Sequence, residues 1–349
     1  MKTIQQFGKK YLSSFLMLIL LISLTYYYIL KQCDLESLVA TIKSSDYKYL
    51  LIGIGIVLLN IWLEGVSLHI IGQSLNVTIG LFRSFCYACV DLYYCGITPS
   101  ATGGQPVLAY YMSRDQIPIS KSTIIILLYT VVYKVVLLIL GVGVLLVHRD
   151  FIMLNKLTFA LFIIGVVVNI AIIAICLLCM YSRTTVKNIV VKAINLLSNL
   201  HLIKNKEKKI EGFYTHIEEY HRSAQYVKGN RKVLVRVIIV TLIQRIALFS
   251  VGYLVYRSFD LGQFGFFDIL ALQVVISMTV DSLPLPGAVG VSEGMFYLLY
   301  TKVYSEGMIA PAMVLTRGIN FYFMLLLTGV ITIVYHIATT KPSKVLKGE

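Results

Sequence analysis

Long apolar stretches dominate the chain, and the few polar positions between them set its elements. Runs near the roughly 20 residues that a helix needs to cross a bilayer predict full spans over residues 11 to 30, 50 to 71, 122 to 147, 157 to 181, 234 to 256 and 311 to 337. Two further apolar segments, 84 to 112 and 266 to 304, are broken by glycine and proline. The first break reads Thr98-Pro99-Ser100-Ala101-Thr102-Gly103-Gly104-Gln105-Pro106, and the second reads Leu283-Pro284-Leu285-Pro286-Gly287-Ala288-Val289-Gly290-Val291-Ser292-Glu293. Lipid offers the backbone no hydrogen-bond partner, so irregular chain at membrane depth survives only inside protein or beside a wet cavity. The pattern predicts an all-α polytopic membrane protein with about six full spans plus two Gly/Pro-broken re-entrant segments. Two complete crossings per broken segment satisfy the same parity.

Charge orients these elements. Residues 182 to 233 carry eleven Lys and Arg against four Glu, which places this loop in the cytoplasm. The amino end and the tail with Lys341, Lys344 and Lys347 then also fall inside, whereas loops 31 to 49 and 148 to 156 fall outside. Each half, about 11 to 147 and about 157 to 337, reads span, span, broken segment, span, starting from opposite faces. The expectation is one transmembrane domain over residues 1 to 347 built as an inverted repeat, a plan that places a transported substrate near the midplane. Lys134 follows Pro106 by 28 positions and Arg317 follows Gly290 by 27, so each break precedes a helix bearing a cation. The second span of each half also carries one charge, Glu64 and Arg245.

Composition agrees with membrane residence: 58% of residues are hydrophobic and the mean hydropathy is +0.80. A net charge of +14 in such a protein reflects basic cytoplasmic loops and anionic lipid headgroups, with no basic-aromatic module for nucleic acid. Five of the six cysteines lie in apolar segments, where a thiol packs as a small hydrophobe. Lys2, Lys9 and Lys10 precede an apolar run without a small-residue cleavage site, so an uncleaved first helix is expected. Within the basic loop, Ile189, Val190, Ala193, Ile194, Leu197 and Leu200 recur at helical spacing, as do Phe213, Ile217, Tyr220, Ala224 and Val227. Both predict amphipathic helices on the membrane surface. His216 and His221 are five apart, off the spacing of a helical metal pair.

The candidate chemistry lies in charges at membrane depth, which mark substrate or ion pathways. Glu64, Asp91, Asp281 and Glu293 are candidates for ion coupling or for charge pairs with Lys134, Arg245 and Arg317. Helix ends at a break attract phosphate or carboxylate, so Gly103, Gly104, Gln105 and Pro106, with Pro286, Gly287 and Gly290, are candidate substrate contacts beside Lys134, Arg245 and Arg317. A tight helix contact through small residues explains the same glycines without a ligand. No phosphate loop, Ser-His-Asp order, H-E-x-x-H helix or paired-cysteine zinc signature is present, so no catalytic residue, metal or cofactor is expected.

The spacing Thr98-Pro99-x3-Gly103-Gly104-Gln105-Pro106-x3-Tyr110-Tyr111, followed by Leu283-Pro284-Leu285-Pro286-Gly287-x2-Gly290-x2-Glu293, resembles the transmembrane region of lysylphosphatidylglycerol synthases over about residues 10 to 340. The resemblance implies a flippase-like translocator in a bacterial plasma membrane. It would move an aminoacylated or other phospholipid, such as lysylphosphatidylglycerol, and give resistance to cationic peptides. The synthases add a soluble aminoacyl-transfer domain, for which a chain ending at Glu349 leaves no room, so lysyl transfer is expected to need a separate synthase. Two alternatives stay open: a phosphatidylglycerol lysyltransferase-type enzyme or subunit, and a non-transporting membrane partner protein.

Overall fold

The computed structural model describes residues 16–25, 27, 35–99, 101–153, 156–182, 220, 224–225, 229–281, 283 and 285–340. The chain alternates long apolar helices with short connections, because a helix satisfies its own backbone where no water can. The elements are α1 (Leu16–Thr25), α2 (Leu35–Ser44), α3 (Tyr47–Ser74), α4 (Leu81–Ile97), α5 (Gly104–Arg114), α6 (Ile119–Val147), α7 (Arg149–Ile152) and α8 (Lys156–Tyr181). They continue as α9 (Arg231–Ser258), α10 (Phe266–Val280), α11 (Val291–Tyr300), α12 (Glu306–Arg317), a π-helical turn (Gly318–Phe323) and α13 (Met324–Thr340). The protein is all-α and polytopic. Among the described residues, five helices are long and apolar enough to cross a membrane: Tyr47–Ser74, Ile119–Val147, Lys156–Tyr181, Arg231–Ser258 and Gly307–Thr339.

These five contain the expected spans beginning at 50, 122, 157, 234 and 311. The sixth, 11 to 30, is described only in part, as α1. Both predicted interruptions fall between helices: α4 and α5 flank the first, α10 and α11 the second. Two features differ from the sequence expectation. Residues 35–44, read as part of an outer loop, form α2, with Glu36 in its first turn and Lys43 in its last to complement the helix dipole. The last span is divided: Pro311 lies inside α12, and a wider π turn follows Arg317 before α13 resumes. Such turns re-aim the side chains around them.

Helix α3 packs along α9, α4 and α6, while α4 also packs on α13 and α10 on α6, α8 and α9. Small residues permit the close approaches: a Cβ on Gly65 would stand 2.9 Å from the Phe85 backbone. The outward faces are apolar, as lipid requires. On α13 Leu326, Val330 and Val334 are exposed at four-residue spacing, and α8 shows Ile163, Val167 and Ile170.

Polar contacts collect at the two ends of the bundle. At one, Asp46 N donates to Ser258 O at 2.8 Å, and His148 Nδ1 lies 3.5 Å from Asp268 Oδ1. At the other, the Tyr87 and Tyr335 hydroxyls donate to Asp115 Oδ2 at 2.5 and 2.6 Å, and Arg114 donates to Thr339 O at 2.7 Å. Most of the basic loop, including His216 and His221, lies outside the described residues, as do the amino-terminal lysines and the tail from 341. Two residues of the second amphipathic pattern are described: Tyr220 and Ala224 are buried, and the Tyr220 hydroxyl donates to Cys179 O at 2.6 Å.

Candidate functional site

The two breaks meet. An isolated antiparallel bridge pairs Pro99 with Pro286, so the Gly/Pro segments run against each other in the middle of the bundle. Aligned on these prolines, Pro99-Ser100-Ala101-Thr102-Gly103 and Pro286-Gly287-Ala288-Val289-Gly290 share a P-x-A-x-G pattern. The backbone repeats it at the alanines, with Ala101 at φ 51° and Ala288 at φ 50°, while the glycines that cap α5 and α11 differ, Gly103 at φ −81° and Gly290 at φ 89°. Left-handed alanine is uncommon and is held only where its surroundings fix it. The sequence reading had matched the halves through Pro106 and Gly290; the structural register falls a few residues earlier.

Glycine is required twice here for different reasons. Gly104 has ordinary backbone angles, but a Cβ there would overlap the Asp91 carboxylate and the Cys95 sulfur. Gly287 has φ +58°, and a Cβ there would overlap the Phe321 ring.

A cavity of about 180 Å³ opens at the meeting point. Cys95 and Ala101 line it from the first break, Asp281, Gly287, Ala288 and Ser292 from the second, with Arg317 beside them. At about 30 Å³ per water, the space suits a few waters or one phosphate group. Charged side chains converge on it. Arg317 Nε donates to Glu293 Oε1 at 2.8 Å, its Nη2 donates to Gly287 O at 3.1 Å, and its guanidinium stands 4.4 Å over the Phe321 ring. The other Glu293 oxygen accepts from Gly290 N at 2.7 Å, which fixes the start of α11. Asp281 is paired with Lys134 and accepts from the Tyr133 hydroxyl at 2.7 Å.

One layer away, Arg245 stacks 4.7 Å over the Tyr133 ring, buried, with its Nε lacking an acceptor among the described residues. Gln244 on the same helix donates to Glu64 Oε2 at 3.2 Å and to Asn60 O at 3.1 Å. The Cys95 thiol donates to Ala101 O at 3.2 Å, with Asp91 Oδ1 a longer acceptor at 3.7 Å. Unlike the buried Cys86, Cys89 and Cys176, Cys95 therefore joins the polar site rather than only packing in the apolar core.

Of the candidate residues, Gly287, Asp281 and Arg317 line the cavity directly. Lys134 and Glu293 reach it through their partners, Pro286 through the bridge, and Gly104 through Cys95. Gln105 and Pro106 begin α5 and are not among the lining residues, and Arg245, Glu64 and Asp91 stand behind the wall. The break amides are occupied: Gly103 N donates to Thr98 Oγ1 at 2.9 Å, and Gly290 N donates to Glu293. These two glycine amides are therefore not bare, and Arg317 is the cation that lines the cavity. Sequence reasoning missed Tyr133, which touches both Asp281 and Arg245; its place beside Lys134 was the available signal.

These features define an α-helical multi-pass membrane protein whose intramembrane charges converge on two facing helix breaks. Residues 12–328 match the family of the lysylphosphatidylglycerol synthase TM region, and the chain belongs to that family. Membership associates it with lysylphosphatidylglycerol metabolism or flipping. Among curated proteins none matches the chain.

Proposed function

We propose that the protein is a lipid translocator of a bacterial plasma membrane. Its cavity receives the phosphate of a headgroup such as that of lysylphosphatidylglycerol while the acyl chains stay in lipid. The observation that carries this reading is the meeting of two broken helices, Pro99 against Pro286, around a cavity that holds Arg317 and Asp281. Arg317 offers the phosphate an oriented cation, and Arg can grip such a group with two N–H donors. Asp281 gives an ammonium on the same headgroup an acceptor.

Helix lengths favour re-entrant segments over complete crossings. At about 1.5 Å per residue, the 17 residues of α4 and 15 of α10 reach roughly 25 and 22 Å, short of a core about 30 Å thick. The 11 residues of α5 and 10 of α11 reach less. Each pair then enters and leaves by one face, with both termini cytoplasmic and the halves 11 to 147 and 157 to 337 as inverted repeats. The reciprocal packing of α4 on α13 and α10 on α6 fits this exchange. Moving one positive charge outward against an inside-negative potential costs about 2.3 kcal/mol per 100 mV, so a net cationic lipid requires a coupled ion or a concentration gradient.

The test is reconstitution in liposomes with labelled phosphatidylglycerol, lysylphosphatidylglycerol and a polyprenyl phosphate, scoring leaflet exposure. Wild-type protein accelerates exposure of at least one lipid, and Arg317→Ala reduces that rate at least tenfold. Equal exposure with and without protein for every lipid contradicts the reading.

A further inference from the structure

Four carboxyl groups and three cations cluster at membrane depth around the breaks: Glu64, Asp91, Asp281 and Glu293 against Lys134, Arg245 and Arg317. Two acids are spoken for, since Glu293 pairs with Arg317 and Asp281 with Lys134. Glu64 and Asp91 remain, with Arg245 as the one cation in their neighbourhood. Among the described residues, Arg245 makes no salt bridge with either.

The two remaining acids are neighbours on packed helices. Glu64 on α3 is 2% exposed and Asp91 on α4 is 9% exposed, and each lies within the other's electrostatic reach. Glu64 Oε2 accepts from Gln244, but Glu64 Oε1 is buried with no N–H or O–H donor among the described residues. Two ionised carboxylates are acceptors only, so a hydrogen bond between them needs a proton on one. Two carboxylates sharing a site also cannot both ionise cheaply.

Among the described residues the surroundings supply no second unpaired cation, since Lys134 is taken by Asp281. Helix α4 adds Cys95 and Cys89, α6 adds Tyr129, Tyr133 and Lys134, α9 adds Gln244 and Arg245, and α10 adds Asp281. The π-helical turn that packs on α3 has no charged residue. With one proton added, the four acids carry three negative charges, matching the three cations.

We propose that Glu64 and Asp91 hold a single proton between them and that this proton is the ion coupled to occupancy of the cavity. The second clause rests on the translocator reading. The link runs through Cys95, whose sulfur lies 3.7 Å from Asp91 Oδ1 and which lines the cavity, and through Gly104, packed on both. When the pair releases its proton, two carboxylates stand behind the wall of an anion-receiving site and weaken phosphate binding. Proton and anion therefore favour each other, and the coupling is reciprocal.

Infrared spectroscopy of the full chain in lipid nanodiscs, titrated with acid and alkali, reads the proton without any transport. Wild-type protein shows one protonated-carboxyl band at neutral pH, unchanged when sodium replaces potassium. The band disappears in both Glu64→Gln and Asp91→Asn, near-isosteric changes that bring their own donor, and persists in Asp281→Asn. Absence of the band in wild type, its survival in both variants, or its removal by sodium overturns the proposal. Loss in only one variant assigns the proton to that residue alone and overturns the sharing.

Liposome assays then test the coupling. Wild-type lipid exposure changes with pH by up to about tenfold per unit, the limit for one proton, and the Glu64→Gln/Asp91→Asn double variant changes less than twofold. Identical pH profiles refute the coupling clause. If no lipid moves in any sample, the translocator reading fails and the coupling clause with it, while the spectroscopic result still decides the shared proton.

Discussion

At the second break Arg317 closes on Glu293 and on the Gly287 carbonyl, whereas at the first break Asp91 and Glu64 are buried neighbours with no salt bridge among the described residues. Both breaks carry the P-x-A-x-G pattern and a left-handed alanine, but their cap glycines differ, Gly103 at φ −81° and Gly290 at φ 89°. A shared sequence pattern thus stands beside two different electrostatic arrangements. At the second break an ion pair holds the cavity wall, and at the first the proposed shared proton would let charge change.

The largest effect belongs to the clamp. Arg317→Met leaves Glu293, 1% exposed, without its partner, and breaking a buried pair from one side costs about 3–5 kcal/mol. Thermal unfolding in detergent should show this loss, and adding Glu293→Gln should restore most of it without restoring lipid movement. An unchanged unfolding temperature in the single variant would remove the clamp from the account.

Next come the two glycines. Gly287→Ala meets both left-handed strain, about 1–2 kcal/mol, and overlap with Phe321, about 1–3 kcal/mol, for a total of about 3 kcal/mol. Gly104→Ala meets overlap alone, about 2 kcal/mol, against the Asp91 and Cys95 side chains. Phe321→Leu should relieve the first and leave the second untouched. Relief of both by the same change would mean that the breaks are not independently packed.

The smallest effect has the opposite sign. Gly294 lies inside α11 with nothing within 4 Å of an added Cβ, so Gly294→Ala should stabilise by about 0.5–1 kcal/mol through helix propensity. A loss in the same unfolding measurement would show that α11 needs a glycine there for a reason other than space.

Much of this comparison was readable before any coordinates. Apolar run length located the spans, and the proline-glycine clusters located both breaks, because each signal is local and strong. Which acid meets which base was not readable. Lys134 and Asp281 are 147 positions apart and Glu64 and Gln244 are 180 apart, and no periodicity encodes such pairings. The P-x-A-x-G register was present in the sequence but hidden, since three fixed positions in five are a weak repeat until two left-handed alanines make it physical. The π turn after Arg317 left no trace beyond Pro311, because such turns answer to tertiary packing rather than to local preference.

The claim on which the rest stands is that water reaches the point where the breaks meet. It is tested most directly by a membrane-impermeant thiol reagent on Ala288→Cys, which lines the cavity, and on Met278→Cys, fully buried in α10, in protein whose native cysteines have been replaced. The account predicts that Ala288→Cys is modified, that phosphatidylglycerol slows the modification, and that Met278→Cys stays unmodified. Equal resistance of both positions to the reagent would contradict it.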